Sequence, residues 1–249
     1  MIRLIRSFLC CICFTLFGIG GLGLGLLVFP IILIFFRGTH QRRILCNSIH
    51  ITWRFFVWLL TFSRLISVRC DQDNLLRNLH GHIVIANHPS LIDVVIVVSK
   101  IPNSVCVVKD NLFHNFFIRH VIRRIYLSNN MSPDEFLARG TEYLKSGHNL
   151  VIFPEGTRTR PNHLIHFHRG FAYLHLHSGA PILPIMIHNT PPILGKGQPW
   201  YDIGRQTSNY TLTPLSVIQH TPSADRSDRQ IARDITAQAK SALFPAQDA

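Results

Sequence analysis

Between Arg6 and Arg37 the chain carries no charged side chain. A bilayer core is crossed by roughly twenty apolar residues in a helix, so this run of about thirty dictates a membrane segment before anything else about the fold is settled. A cleaved signal peptide has a shorter apolar region, about 7 to 15 residues, and then a small-residue cleavage site. Neither is visible, so residues 1–37 are expected to persist as an N-terminal membrane helix. Pro30 predicts a kink near its end, which leaves two shapes open: a helix that spans, or one that re-enters the same leaflet. Inside the segment "GIGGLG", Gly18 to Gly23, has the spacing of a dinucleotide fingerprint. That fingerprint works only in a turn between a strand and a helix, so the match is accidental, and close helix packing through Gly21 and Gly25 is the better reading.

The next stretch, residues 38–70, interleaves arginines with bulky apolar groups, "TWRFFVWLLTFSRLISVR", and Trp53 and Trp58 suit a water–lipid boundary. It reads as an interfacial amphipathic helix, with a buried helix of the following domain as the competing reading. Eight arginines precede residue 71 and Asp71 is the first acid, within a net charge of +12. That imbalance favours an anionic partner. Because the cations are threaded through apolar sequence without a nucleic-acid-binding motif, phospholipid headgroups fit and nucleic acid does not. The six cysteines lack paired metal spacing, and no disulfide framework is implied, which favours a cytoplasmic-side active site.

After Asp71 short apolar runs alternate with helical segments, the pattern of a single α/β domain over residues 71–249. "HIVIAN" predicts a buried strand over 83–86, "SLIDVVIVVSK" a helix, and "SVCVVKD" and "RRIYLS" further strands. Ser132, Pro133 and Glu135 predict a capped helix start, with Phe136, Leu137, Tyr143 and Leu144 on one face and Gly147 as the stop. "NLVIFPEG" is a strand entering a turn. Pro181 and Pro184 assign "APILPIMIH" to an edge or irregular strand. Possible strands lie within 201–218, and Asp228 to Leu243 closes the chain as an amphipathic helix.

Two turns carry chemistry. In "NHPSLID" a histidine, His88, sits where a strand ends and Pro89 begins a helix, and Asp93 lies one turn inside. A histidine at that junction can turn back to the carboxylate, which fixes its tautomer and frees the other ring nitrogen to accept a proton. Ser90 is not in a nucleophile elbow, so the proton comes from a bound hydroxyl. In "FPEGTRTR" the amides of Gly156 and Thr157 and the planar fork of Arg158 suit an anion. Glu155 either orients Arg158 or bonds a substrate hydroxyl.

Together, in this order and about sixty residues apart, "NHPSLID" and "FPEGTRT" resemble the glycerolipid acyltransferase family, which includes the lysophosphatidic acid acyltransferases. The resemblance extends over "FHRGFAYLHLHSGAPILPIMI" and covers 82–188. It implies a mixed central sheet flanked by helices. It also implies an acyl-CoA or acyl-carrier-protein thioester as donor substrate, a lysolipid acceptor such as 1-acyl-glycerol-3-phosphate, and a place in phospholipid biosynthesis. His88 is the implied general base, Asp93 its partner, and Glu155, Gly156 and Arg158 bind the acceptor. No cofactor or metal enters this direct transfer. The sequence departs from the family in the second block, where "VIRRIYLSNN" places Asn129 about where an acceptor-binding arginine belongs. Arg123 or Arg124 is a substitute, and acylation of a lyso-aminolipid or another pathway-specific lipid stays open. A noncatalytic, membrane-tethered lipid-binding protein is the alternative of a different class. The histidines His163, His166, His168, His175 and His177 lack a carboxylate or cysteine at zinc spacing, so they read as a basic surface near lipid.

Overall fold

A computed structural model describes residues 2–110, 123, 125–160, 164–220 and 226–245. The first helix, α1 (Ile2–Gly23), passes through a π-helical turn over Leu24–Val28 into α2 (Phe29–Phe35). Pro30 cannot donate a backbone hydrogen bond and its ring crowds the carbonyl one turn back, and the wider π turn just before it takes up that misfit. Beyond the helix's own backbone and the adjoining residues, no described atom lies within 4 Å of the place a Cβ would occupy on Gly18, Gly20, Gly21 or Gly23, so Gly21 makes no close contact with another described helix, against expectation. The chain turns at Gly38, φ +59°, into α3 (Gly38–Phe62).

Helix α3 runs back along α1. Phe56 stacks on Phe17 at 4.2 Å and meets Phe14 edge-on, and the Arg6 guanidinium donates to the Arg64 carbonyl at 3.0 Å, so both ends of the hairpin return to one place. Both arms are long and apolar enough to cross a membrane, and the outer surface exposes Leu4, Phe8, Ile19, Leu27, Ile34, Phe35, Phe55 and Phe62. Yet α3 is also a domain helix. Leu45, Cys46, Phe56 and Leu60 are buried, and it packs on the helix Asp93–Lys100. It stops at Phe62, and residues 66–70, read in the sequence as its tail, are instead the strand β1 (Ile66–Cys70). The alternation of apolar Ile66, Val68 and Cys70 with polar Ser67 and Arg69 suits a strand, and Arg64, in the left-handed region at φ +53°, breaks the helix.

The remaining elements are α4 (Asp73–Arg77), β2 (Ile83–Ala86), α5 (Asp93–Lys100), β3 (Ser104–Val108), β4 (Leu127–Ser128), α6 (Pro133–Lys145), β5 (Asn149–Ile152), α7 (Gly170–Ser178), β6 (Ile182–Thr190), β7 (Ser208–Pro214) and α8 (Asp228–Leu243). Seven strands form one mixed sheet in the order β1-β7-β6-β2-β5-β3-β4. From β6 to β4 the strands are parallel, and only β7 and β1 run the other way. Every residue of β2 and β5 is buried, as expected of parallel strands covered on both faces. Helices α3 and α5 cover one face, with α1 outside them against α3, and α6, α7 and α8 cover the other.

Strand β6 is not an edge: it pairs with β2 on one side and β7 on the other. Pro184 is tolerated because its missing N–H falls on the β7 side where that ladder ends, beside the Ile182–Ile218 bridge, while its carbonyl still accepts from Leu215 at 2.9 Å. At Ser132 the hydroxyl accepts from the Glu135 amide at 3.3 Å, but Glu135 turns to Arg139, so the complete capping box stands at Ser227 and Gln230 of α8 instead.

Candidate active site

The carboxyl ends of four neighbouring parallel strands, β6, β2, β5 and β3, lie along one edge of the sheet, where α/β folds collect their ligand-binding turns. At the centre β2 ends in Asn87, whose buried amide does the work of a further ladder rung. Its nitrogen donates to the Ile187 carbonyl at 2.8 Å and its oxygen accepts from the Ile187 amide at 2.7 Å. That pins the chain where His88 leaves the sheet. Asp93, the first residue of α5, is fully buried.

His88 and Asp93 meet as expected. His88 Nδ1 lies 2.8 Å from Asp93 Oδ2. The same oxygen accepts from the Ser90 amide at 2.6 Å, and Oδ1 accepts from the Ser90 hydroxyl at 2.6 Å. With the carboxylate held by donors, Nδ1 carries the proton and Nε2 is left as the basic nitrogen. Ser90, its hydroxyl committed to Asp93, has no part as a nucleophile. Burial raises the Asp93 carboxyl above the ordinary aspartate range, and the bonds from His88 and Ser90 pull it back down. The imidazole rests against the Phe153 ring at 4.6 Å and keeps 17% of its side-chain surface open.

The turn after β5 clamps this histidine from behind. Glu155 Oε1 accepts from the His88 amide at 2.9 Å and from the Thr159 hydroxyl at 2.8 Å, while the Thr159 amide donates to the His88 carbonyl at 2.7 Å. Glu155 therefore orients His88 through its backbone, a role outside both sequence alternatives, and burial raises its carboxyl too. Gly156 has φ +63°, and a Cβ there would stand 3.0 Å from His168 Nε2, which leaves glycine as the residue that fits. The Thr157 hydroxyl accepts from Lys196 Nζ at 2.6 Å. Arg158 donates through one nitrogen to the carbonyls of Leu194 at 3.0 Å and Gly195 at 2.8 Å, fastening the loop after β6 across the site.

The acyltransferase family model matches residues 67–188, which takes in both turns. Residues 67–188 thus form an acyltransferase-family domain. A 1-acyl-sn-glycerol-3-phosphate acyltransferase of Cocos nucifera is 28% identical over 148 residues, 57% of this chain and 46% of that protein. One of Limnanthes douglasii is 43% identical over 49 residues, 20% of this chain and 17% of the relative. The match thus spans less than half the length of either plant protein. The crystal structure of PlsC, the 1-acyl-sn-glycerophosphate acyltransferase of Thermotoga maritima, superposes over 100% of both chains with a TM-score of 0.68 at 18% identity, a likeness of fold.

Sequence reasoning missed part of this candidate site. Lys109 after β3, Arg158 and Arg160 after β5, and Lys196 after β6 form one cationic cluster. Desolvation first, and then Arg160, Lys109 and Arg158, push the Lys196 ammonium below the ordinary lysine range. Each belongs to a different turn or a different position in one, so no single motif announces the group; "LGKGQP", a lysine between glycines, was the nearest signal. Asn129, at the place of the family's second-block arginine, braces that cluster. Its side-chain oxygen accepts from the Asp110 amide at 3.0 Å and its backbone N–H donates to the Val108 carbonyl at 2.9 Å, bracketing Lys109. The Arg123 backbone carbonyl accepts from Arg139 at 3.3 Å, and Arg124 lies outside the described residues, as does His163. Of the other histidines, His166 and His168 meet edge to face at 5.3 Å. His175 is buried between two backbone groups, with Nδ1 2.7 Å from the Ala180 carbonyl and Nε2 accepting from the His220 amide at 3.1 Å.

Proposed function

We propose that this chain is a membrane-bound O-acyltransferase that moves a fatty acyl chain from an acyl-CoA or acyl-carrier-protein thioester to the free hydroxyl of a lysolipid, with 1-acyl-glycerol-3-phosphate as acceptor. His88 Nε2 takes the hydroxyl proton as that oxygen attacks the thioester carbonyl; the new ester bond forms, the carbon–sulfur bond breaks, and the thiolate leaves with the proton returned from His88. Asp93 holds Nδ1–H and stabilises the imidazolium between the two proton transfers. The acceptor phosphate sits against Lys109, Arg158, Arg160 and Lys196, whose summed charge suits a dianion. The apolar helical hairpin keeps the site beside the bilayer, where both acyl chains are held.

The single observation that carries this reading is the 2.8 Å contact between His88 and a fully buried, fully bonded Asp93. A noncatalytic lipid-binding protein has no use for a buried carboxylate whose only outlet is an accessible imidazole. The cluster likewise favours a phosphate-bearing acceptor over a lyso-aminolipid. Purified protein, offered a panel of lysolipids with acyl-CoA and with acyl-carrier protein, is expected to make phosphatidic acid, identified by product mass, and His88→Ala is expected to make none while still partitioning into membranes. Product from His88→Ala, or transfer confined to acceptors without phosphate, overturns the proposal.

A further inference from the structure

A second cationic recess lies away from the reaction. It is a groove of about 430 Å³ between α3, α4 and the end of α5, lined by Arg54, Trp58, Arg77 and Lys100 among others. Lys100 and Pro102 precede the start of β3, whereas His88 follows the end of β2. Both strands run parallel to β5, so that wall of the groove and His88 lie at opposite edges of the sheet.

Its charge is not balanced from within. Asp73 is shared by Arg77 and by Lys100, the latter at 2.8 Å, leaving one carboxylate against two cations. Arg54 is exposed and makes no ion pair among the described residues. A third cation thus faces the groove without an anion.

The wall of the groove continues into apolar surface. Arg54, Trp58 and Thr61 follow one another at helical spacing along α3, and Trp58 also belongs to an exposed aromatic ladder, stacked 5.6 Å from Phe55 and 5.3 Å from Phe62. A tryptophan between an aromatic strip and a cluster of cations is the arrangement found where hydrocarbon gives way to headgroups. The volume lies within the roughly 300–1,000 Å³ of small-ligand sites, room for one headgroup, with the neighbouring ladder left to the acyl chains.

We propose that this groove binds the phosphate headgroup of an anionic membrane phospholipid, a lipid site separate from the one at His88. It would orient the domain on an anionic bilayer with α3 in the interface and would take no part in the chemistry. The membrane placement rests on the reading of the preceding subsection, but the test does not involve acyl transfer, so the two can fail independently.

The test is flotation of the full chain with phosphatidylcholine vesicles, with and without added phosphatidylglycerol. Phosphatidylglycerol is expected to tighten binding of the unaltered protein, and Arg54→Glu together with Arg77→Ala to abolish about 10- to 100-fold of that gain while leaving binding to phosphatidylcholine intact. Arg229→Glu with Arg233→Ala, on α8 across the sheet, changes the net charge by the same amount and should keep the gain. Arg54→Glu alone, at an exposed position, guards against a folding defect, checked by circular dichroism. The proposal is overturned if the groove variants keep the phosphatidylglycerol gain, or if the α8 pair loses as much, since that outcome assigns the effect to net charge. Soluble short-chain phosphatidylglycerol, followed by tryptophan fluorescence, should saturate as one site in the unaltered protein and fail to do so in Arg54→Glu; unsaturating, linear binding also sinks it.

Discussion

The turns that end β2 and β5 lie side by side at one edge of the sheet, yet they are built on opposite principles. After β2 everything is consumed internally: Asn87 is spent on Ile187, both oxygens of Asp93 are filled, and the Ser90 hydroxyl is committed. After β5 the inward groups, Glu155 and Thr159, are equally consumed, but Arg160 and neighbouring Lys196 and Lys109 point their charges outward. The contrast follows from the task. A base must be held to within a fraction of an ångström of a reacting proton, which demands a closed network. An anion is gripped by field and reach, which demand open cations.

If that division is right, damage on the two sides must look different. The largest effect is expected from Asp93→Asn. The amide offers a donor where three donors already point, so the imidazole loses its tautomer, and kcat should fall about 10²- to 10⁴-fold with little change in KM for the acceptor. Steady-state kinetics on both substrates checks it, and a variant that changed KM alone would erase the distinction between the turns. Next comes Asn87→Ala. It strips a buried carbonyl and a buried amide of their partner, each worth about 1–3 kcal/mol, and a loss near 1 kcal/mol already lowers the melting midpoint by about 2–4 °C at this chain length. Thermal unfolding should therefore show a drop of several degrees, accompanied by reduced activity, because the same bonds place His88. On the open side, Lys196→Ala should raise KM for a phosphate acceptor about tenfold and leave kcat nearly unchanged, with the effect shrinking as salt is added. A large kcat loss there would move Lys196 from the gripping half to the reacting half.

The same contrast explains what could be read from the chain before folding. The dyad was legible because both partners lie in one heptapeptide, although the helix begins at Asp93 itself and not, as the sequence suggested, at Pro89. Strand β2 and helix α8 were legible to the residue, since a solid apolar run and a strong 3.6 period leave little choice. The cationic cluster was not, because four residues from three turns converge only when four strands are laid in order. Asn87 and Asn129 were silent for the same reason: an asparagine that mimics a ladder rung has no signature until its partner strand is known. Strand β6 was misjudged because Pro184 forbids a bond only on one side, and that side happens to face the end of β7.

Glu155 gives the finest cut between the two halves, because it lies in the gripping turn and serves the reacting one. Its Oε1 accepts from the His88 amide and the Thr159 hydroxyl, and both bonds survive in Glu155→Gln, whose carbonyl oxygen is the same acceptor. Burial raises the folded carboxyl above its unfolded value, so between those two values the folded state holds more proton than the unfolded one and stability falls as pH rises. Glutamine carries no such cost. The unaltered protein and the variant should therefore melt together in acid, near about pH 4, and the variant should melt higher at neutral pH, the gap opening through the carboxylate range and then staying constant. Acyl transfer should survive in the variant, because the role of Glu155 is to hold a backbone in place. A gap that ignores pH would remove burial as the cause of the shifted carboxyl, and an inactive but stable Glu155→Gln would make the carboxylate charge itself part of the chemistry and dissolve the boundary between the turns.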